Sequence, residues 1–107
     1  MLRVEREWMD WMPELGRLLT SIARCDSDLA RQGRRTAASV ALNMAEAAGC
    51  FAGNRRLRYE TALGALRETM SVLQLAAAWR YIAPIDDERT RWLWSIANAL
   101  TRLASRP

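Results

Sequence analysis

The chain has 107 residues, half of them hydrophobic and 26% charged, which bounds it to one small globular domain over residues 1–107. Sixteen basic residues, all arginine, face twelve acidic ones for a net charge of +4, and histidine is absent. The commonest general acid/base and the commonest metal ligand are therefore missing.

Cys25 and Cys50 stand too far apart for a metal-ligand spacing and are too few for a disulfide scaffold. The expectation is a non-catalytic protein of binding or assembly, without cofactor or metal, in the reducing cytoplasm. The opening Met-Leu-Arg-Val-Glu-Arg-Glu is charged and does not read as a signal peptide. No stretch approaches the ~18 apolar residues that a membrane span needs.

No segment alternates apolar and polar residues with period two, so the fold class is all-α. The first helix is expected over 3–24: Trp8, Trp11, Leu15, Leu18 and Ile22 recur at three- and four-residue steps, with Met12 and Leu19 beside them. Pro13 inside this pattern predicts a kink, or a true helix start with the preceding residues less ordered. Cys25-Asp26-Ser27-Asp28 reads as a turn, with Asp26 or Ser27 as N-cap of a second helix over 28–48 that ends at Gly49.

A third helix is expected over 54–82, with Asn54 as its cap and Tyr59, Ala62, Leu66, Met70, Leu73 and Ala77 as its core stripe. Pro84 stops it. The acidic Asp86-Asp87-Glu88 then opens a fourth helix over 86–105, carrying Leu93, Ile96, Leu100 and Leu103. Four helices with short connections predict an antiparallel up-down-up-down four-helix bundle.

The second helix is the most informative. Gln32, Arg35, Ser39, Asn43 and Glu46 fall on one polar stripe, within an arc of about 80°. Ala37, Ala38, Val40, Ala41, Leu42, Met44, Ala45 and Ala47 make the remainder apolar, roughly twice the ~100° that an ordinary bundle helix buries. Two readings stay open. The stripe is a solvated face and the alanines are good helix formers; or Ser39, Asn43 and Glu46 are partly buried and hydrogen-bonded, fixing register, while the alanine face meets another subunit.

The run Gln32-Gly33-Arg34-Arg35-Thr36-Ala37-Ala38-Ser39-Val40-Ala41-Leu42-Asn43-Met44-Ala45-Glu46-Ala47 resembles the signature helix of the four-helix-bundle proteins encoded in intervening sequences of bacterial 23S rRNA genes, approximately Q-x-x-R-A-A-x-S-I-x-x-N-I-A-E-G. Ala62-Leu63-Gly64-Ala65-Leu66-Arg67-Glu68 is similar to that family's A-x-G-S-x-x-E segment. Together the two blocks span about 31–73, roughly 40% of the chain. The family's glycine after the glutamate is Ala47 here, its isoleucine-proline pair is Val40-Ala41, and its serine on the third helix is Ala65.

The resemblance implies a bundle assembled as a homopentamer. It extends to the accessory variability determinant (Avd-like) proteins of diversity-generating retroelements, basic pentameric bundles that bind nucleic acid and a reverse transcriptase. RNA or DNA, and a protein such as a reverse transcriptase, are thus implied partners beside further copies of the chain.

The charge pattern bears on that implication. Residues 29–59 hold six arginines (Arg31, Arg34, Arg35, Arg55, Arg56, Arg58) and one acid, Glu46, a local +5 that leaves −1 for the rest of the chain. Antiparallel neighbours would put the two groups about 25–30 Å apart, and a ring would repeat each of them as a phosphate-binding surface. Paired or simply solvated arginines, such as Arg56 with Glu60, are the plainer reading. Arg55, Arg56 and Arg58 gain nothing from the dipole of the helix they begin, which favours an anion beside them.

Trp8, Trp11 and Trp79 are expected in the core. Trp92 and Trp94 are two residues apart and cannot share one face, so one of them is expected at the surface or at a subunit or partner contact. Residues 48–53 are an ordinary turn without the lysine of a phosphate loop, and Glu46 and Glu60 have no second catalytic group. The function expected is a homo-oligomeric assembly protein that binds nucleic acid, RNA foremost. The alternative is a scaffold that binds a protein partner and no nucleic acid.

Overall fold

The computed structural model describes residues 1–106. Four α-helices and no strand occur among them: α1 (Arg3–Ala23), α2 (Ser27–Ala47), α3 (Ala52–Ala78) and α4 (Asp87–Ser105). None of these helices is long and apolar enough to cross a membrane. At 1.5 Å per residue, the 27 residues of α3 run for about 40 Å, nearly the 42 Å long axis of the molecule.

In α1, Val4, Trp8, Trp11, Leu15, Leu19 and Ile22 form the buried stripe that three- and four-residue spacing dictates. The helix continues through Pro13, so Pro13 does not mark its start, and the residues before it are helical. Pro13 lies on the exposed face, where water can take the Met9 carbonyl that loses its amide donor. α2 opens as expected on Asp26, whose carboxylate accepts the Leu29 amide at 3.0 Å.

Three other helix ends differ from expectation. Gly49 does not take the left-handed conformation of a glycine cap. α2 ends instead at the right-handed Ala48, with the Gly49 and Cys50 amides donating three residues back to Glu46 and Ala47. Asn54 lies inside α3, which begins after Phe51 with no side-chain cap.

α3 closes at Ala78 rather than at 81–82. Arg80 adopts φ 64°, the Tyr81 amide donates to Ala76 and the Arg80 amide to Ala77. These are the two bonds of a Schellman motif, with arginine in the place that glycine usually fills. Trp79, expected in the core, is the C-cap residue of α3 and is 54% exposed.

All four helices feed one core. Trp8, Leu15, Leu19 and Ile22 of α1 meet Val40 and Met44 of α2, Leu66 and Leu73 of α3, and Ile96 and Leu100 of α4. Gly33 is buried where three helices converge: a Cβ there would stand 2.6 Å from Leu19 Cδ2 and 3.1 Å from Val72 Cγ1. A side chain at this close approach of α2 to α1 and α3 would displace Leu19 and crowd Val72.

Two polar features lie within this apolar seam. The Thr36 and Thr69 hydroxyls share a buried 2.8 Å hydrogen bond between α2 and α3: one donates to the other, and the acceptor of the pair donates to a carbonyl of its own helix, that of Gly33 or Ala65. The Trp8 indole Nε1 donates to the Ala37 carbonyl at 3.2 Å, tying α1 to α2. Each group is satisfied, so its burial carries little net cost.

Candidate nucleic-acid interface

The polar stripe of α2 runs along its border with α3. Gln32 donates to Glu68 at 3.3 Å, and Asn43 accepts from Arg58 at 3.4 Å. Glu46 pairs with the same arginine at 3.1 Å. Asn43 also donates to the Ser39 carbonyl and hydroxyl at 2.9 and 3.1 Å. Ser39 and Asn43 are half-buried, whereas Gln32, Arg35 and Glu46 are exposed. The stripe is therefore a hydrogen-bonded rim, open to water at its ends and shielded in its middle.

The apolar remainder of α2 divides. Ala37, Val40, Met44 and Ala47 are buried, while Ala38, Leu42 and Ala45 are exposed, Leu42 at 65%. Ala38, Ala41 and Leu42 join Met9, Met12 and Gly16 of α1 in an apolar groove of about 380 Å³. Nothing among the described residues covers it.

The two arginine groups lie at opposite ends of α2, since Arg58 sits beside Asn43 and Glu46 while Arg31, Arg34 and Arg35 belong to its first turns. All six arginines are exposed. Around the α2 start, Arg31 pairs with Asp28 at 2.9 Å and Arg34 donates to the Thr20 hydroxyl at 3.2 Å. Arg35 has no ion pair among the described residues.

Around the α3 start, Arg58 is held by Glu46, but Arg55 and Arg56 have no ion pair among the described residues. The expected Arg56–Glu60 pair does not form. Both line a cleft of about 300 Å³ with Leu2, Tyr59, Leu103 and Arg106. Arg106 brings a third guanidinium there. A lone arginine next to the last residue gave the sequence reading no signal, because only the fold returns the end of α4 to the start of α3.

The Tyr59 ring is buried, with only 4% of the residue exposed. Its hydroxyl makes no hydrogen bond to a described residue and borders the cleft. Burial pushes the phenol above its ordinary value and Glu5 adds to the shift, while Arg55 and Arg106 oppose it. At neutral pH it is a protonated hydrogen-bond donor.

The tryptophans divide as their spacing requires. Trp92 stacks on Trp8 at 6.3 Å and meets Trp11 edge-on at 5.3 Å, and Arg89 lies 4.6 Å above its ring. Glu14 accepts from the Trp11 indole at 2.6 Å and from Arg89 at 3.2 Å. Trp94 points away from this cluster and is 51% exposed.

Cys25 and Cys50 are both free. Among the described residues, no group of three histidine, cysteine or acidic side chains could hold a metal ion. No family model, curated protein or solved structure matches the chain.

Proposed function

We propose that this chain is a non-catalytic assembly protein of the kind encoded in ribosomal intervening sequences. In this reading an antiparallel up-down-up-down bundle associates into a homopentamer and binds nucleic acid, RNA foremost, through its arginines. The order of contacts along α2 and α3 supports the antiparallel arrangement: residues early in α2 meet residues late in α3, and the reverse. The uncovered groove of Met9, Met12, Ala38 and Leu42 supports association with further copies.

The observation that carries nucleic-acid binding is the crowding of exposed arginines at the starts of α2 and α3, three of them without carboxylate partners. Arg35, Arg55 and Arg56 have none among the described residues, although the chain holds twelve acids. A guanidinium free of protein partners can neutralise a phosphate and release its counterion, which makes binding salt-dependent. Arg31, Arg34 and Arg58 contribute at their rims.

The test is retention of single-stranded RNA over a range of salt. Arg55→Glu with Arg56→Glu should abolish salt-sensitive retention, and unchanged retention would sink the assignment. Solution mass by light scattering tests assembly: five chains of 12.2 kDa give about 61 kDa, and a mass near one chain would remove the ring.

The exposed Trp94 supports a second reading, a scaffold that holds a protein partner, because tryptophan is enriched at binding hot spots. Under it, Trp94→Ala loses the partner and no RNA is retained at physiological salt.

A further inference from the structure

We propose that Arg55, Arg56, Arg106 and Tyr59 form a binding site for a phosphomonoester, which arrives as the terminal phosphate of a nucleic acid strand or as a free mononucleotide. The inference rests on the nucleic-acid reading and gives one of its two arginine groups a more specific task.

Three observations converge on this cleft. The first is charge. Among the described residues, three guanidinium groups line it and no carboxylate does. Glu5, the acid that acts on Tyr59, is not among the lining residues; its carboxylate accepts the Leu2 amide at 3.4 Å. A backbone phosphodiester carries one negative charge, whereas a phosphomonoester carries about −1.5 to −2 at neutral pH and offers three acceptor oxygens. Three arginines without an ion pair among the described residues match the monoester.

The second observation is shape. About 300 Å³ lies at the lower end of small-ligand pockets, enough for one nucleotide and too little for a duplex. The third is the lining. Leu2 and Leu103 give an apolar surface on which a base can rest, and the Tyr59 hydroxyl is a donor without a partner among the described residues. α3 begins at this end without an acid in its first turn, so its dipole adds to the positive potential. In the α2 group Arg31 and Arg34 already have partners, which leaves Arg35 alone without one among the described residues.

The test compares two RNA octamers of one sequence, one with a 5′-phosphate and one with a 5′-hydroxyl, by fluorescence anisotropy on the full chain. The phosphorylated strand should bind about tenfold tighter. Arg106→Ala should erase that difference, since Arg106 supplies one of the three guanidinium groups that line the cleft. Tyr59→Phe, which keeps the buried ring, should reduce the preference severalfold.

Nucleoside 5′-monophosphate and inorganic phosphate separate the two sources. Competition by the monophosphate together with a preference for the phosphorylated strand supports a strand end. Competition without that preference supports a free mononucleotide. Equal binding of both strands, with no competition, overturns the cleft and leaves the broader arginine reading intact. No binding of either strand, with the monophosphate also silent, overturns both.

Discussion

Two helices of this chain begin with clusters of arginine, and the two starts are built differently. α2 opens on a capping Asp26, carries Asp28 in its first turn, and seats Gly33 against Leu19 and Val72. Its arginines reach local partners, Arg31 to Asp28 and Arg34 to Thr20. α3 opens on an exposed Phe51 without a side-chain cap or an acid in its first turn, and leaves Arg55 and Arg56 to gather with Arg106 around a cleft. One start follows the rules that stabilise a helix. The other sets them aside where positive charge is concentrated. The difference teaches that the same residue type is tied to local partners at one start and gathered around a cleft at the other.

The largest expected effect breaks the stable end. Gly33→Val forces a branched side chain into the contact with Leu19 and Val72, and should cost about 3 kcal/mol in denaturant unfolding. The caps come next. Asp26→Ala should cost about 1 kcal/mol, whereas Phe51→Ser should gain up to about 1 kcal/mol, because Phe51 packs on little and its backbone is already extended.

A smaller effect equalises the two ends. Asp28→Asn frees Arg31, and the slope of log affinity for single-stranded RNA against log salt should steepen by about 0.7. The smallest concerns Tyr59. Its phenol is held above the ordinary value of 10.0 in the folded chain, so the unfolded chain loses that proton first as pH rises. Stability should hold constant below that value and fall as pH climbs toward the folded-state pKa. Tyr59→Phe should flatten this alkaline decline in unfolding curves.

Periodicity made four helices and most of the core readable from sequence, since a buried stripe at three- and four-residue spacing is a local signal. Trp8, Trp11, Leu66 and Leu100 are buried where that spacing put them. Helix ends were less legible. The glycine that looked like a cap, Gly49, is not left-handed, and the residue that is left-handed is an arginine. Trp79 fits the apolar count of α3 but falls at its C-cap, beyond the last full turn.

The features that needed the fold all depend on distant neighbours. Gly33 matters through Leu19 and Val72, Thr36 through Thr69, and Arg106 through Arg55 and Arg56. None of these pairings leaves a mark in the spacing of one segment. The α2 stripe stands between the two cases: spacing marked it, yet only the packing of α3 made its middle half-buried and its ends exposed.

The indoles carry one more consequence. Trp8, Trp11 and Trp92 lie with ring centroids 5.3–6.3 Å apart, while Trp79 and Trp94 stand outside that trio. The chain therefore holds two optically distinct populations. The trio is close enough for exciton coupling and should dominate the near-ultraviolet circular dichroism, reporting on the junction of α1 with α4. The outer pair remains open to an aqueous quencher, so the protein brings its own optical gauge of whether those surfaces become covered.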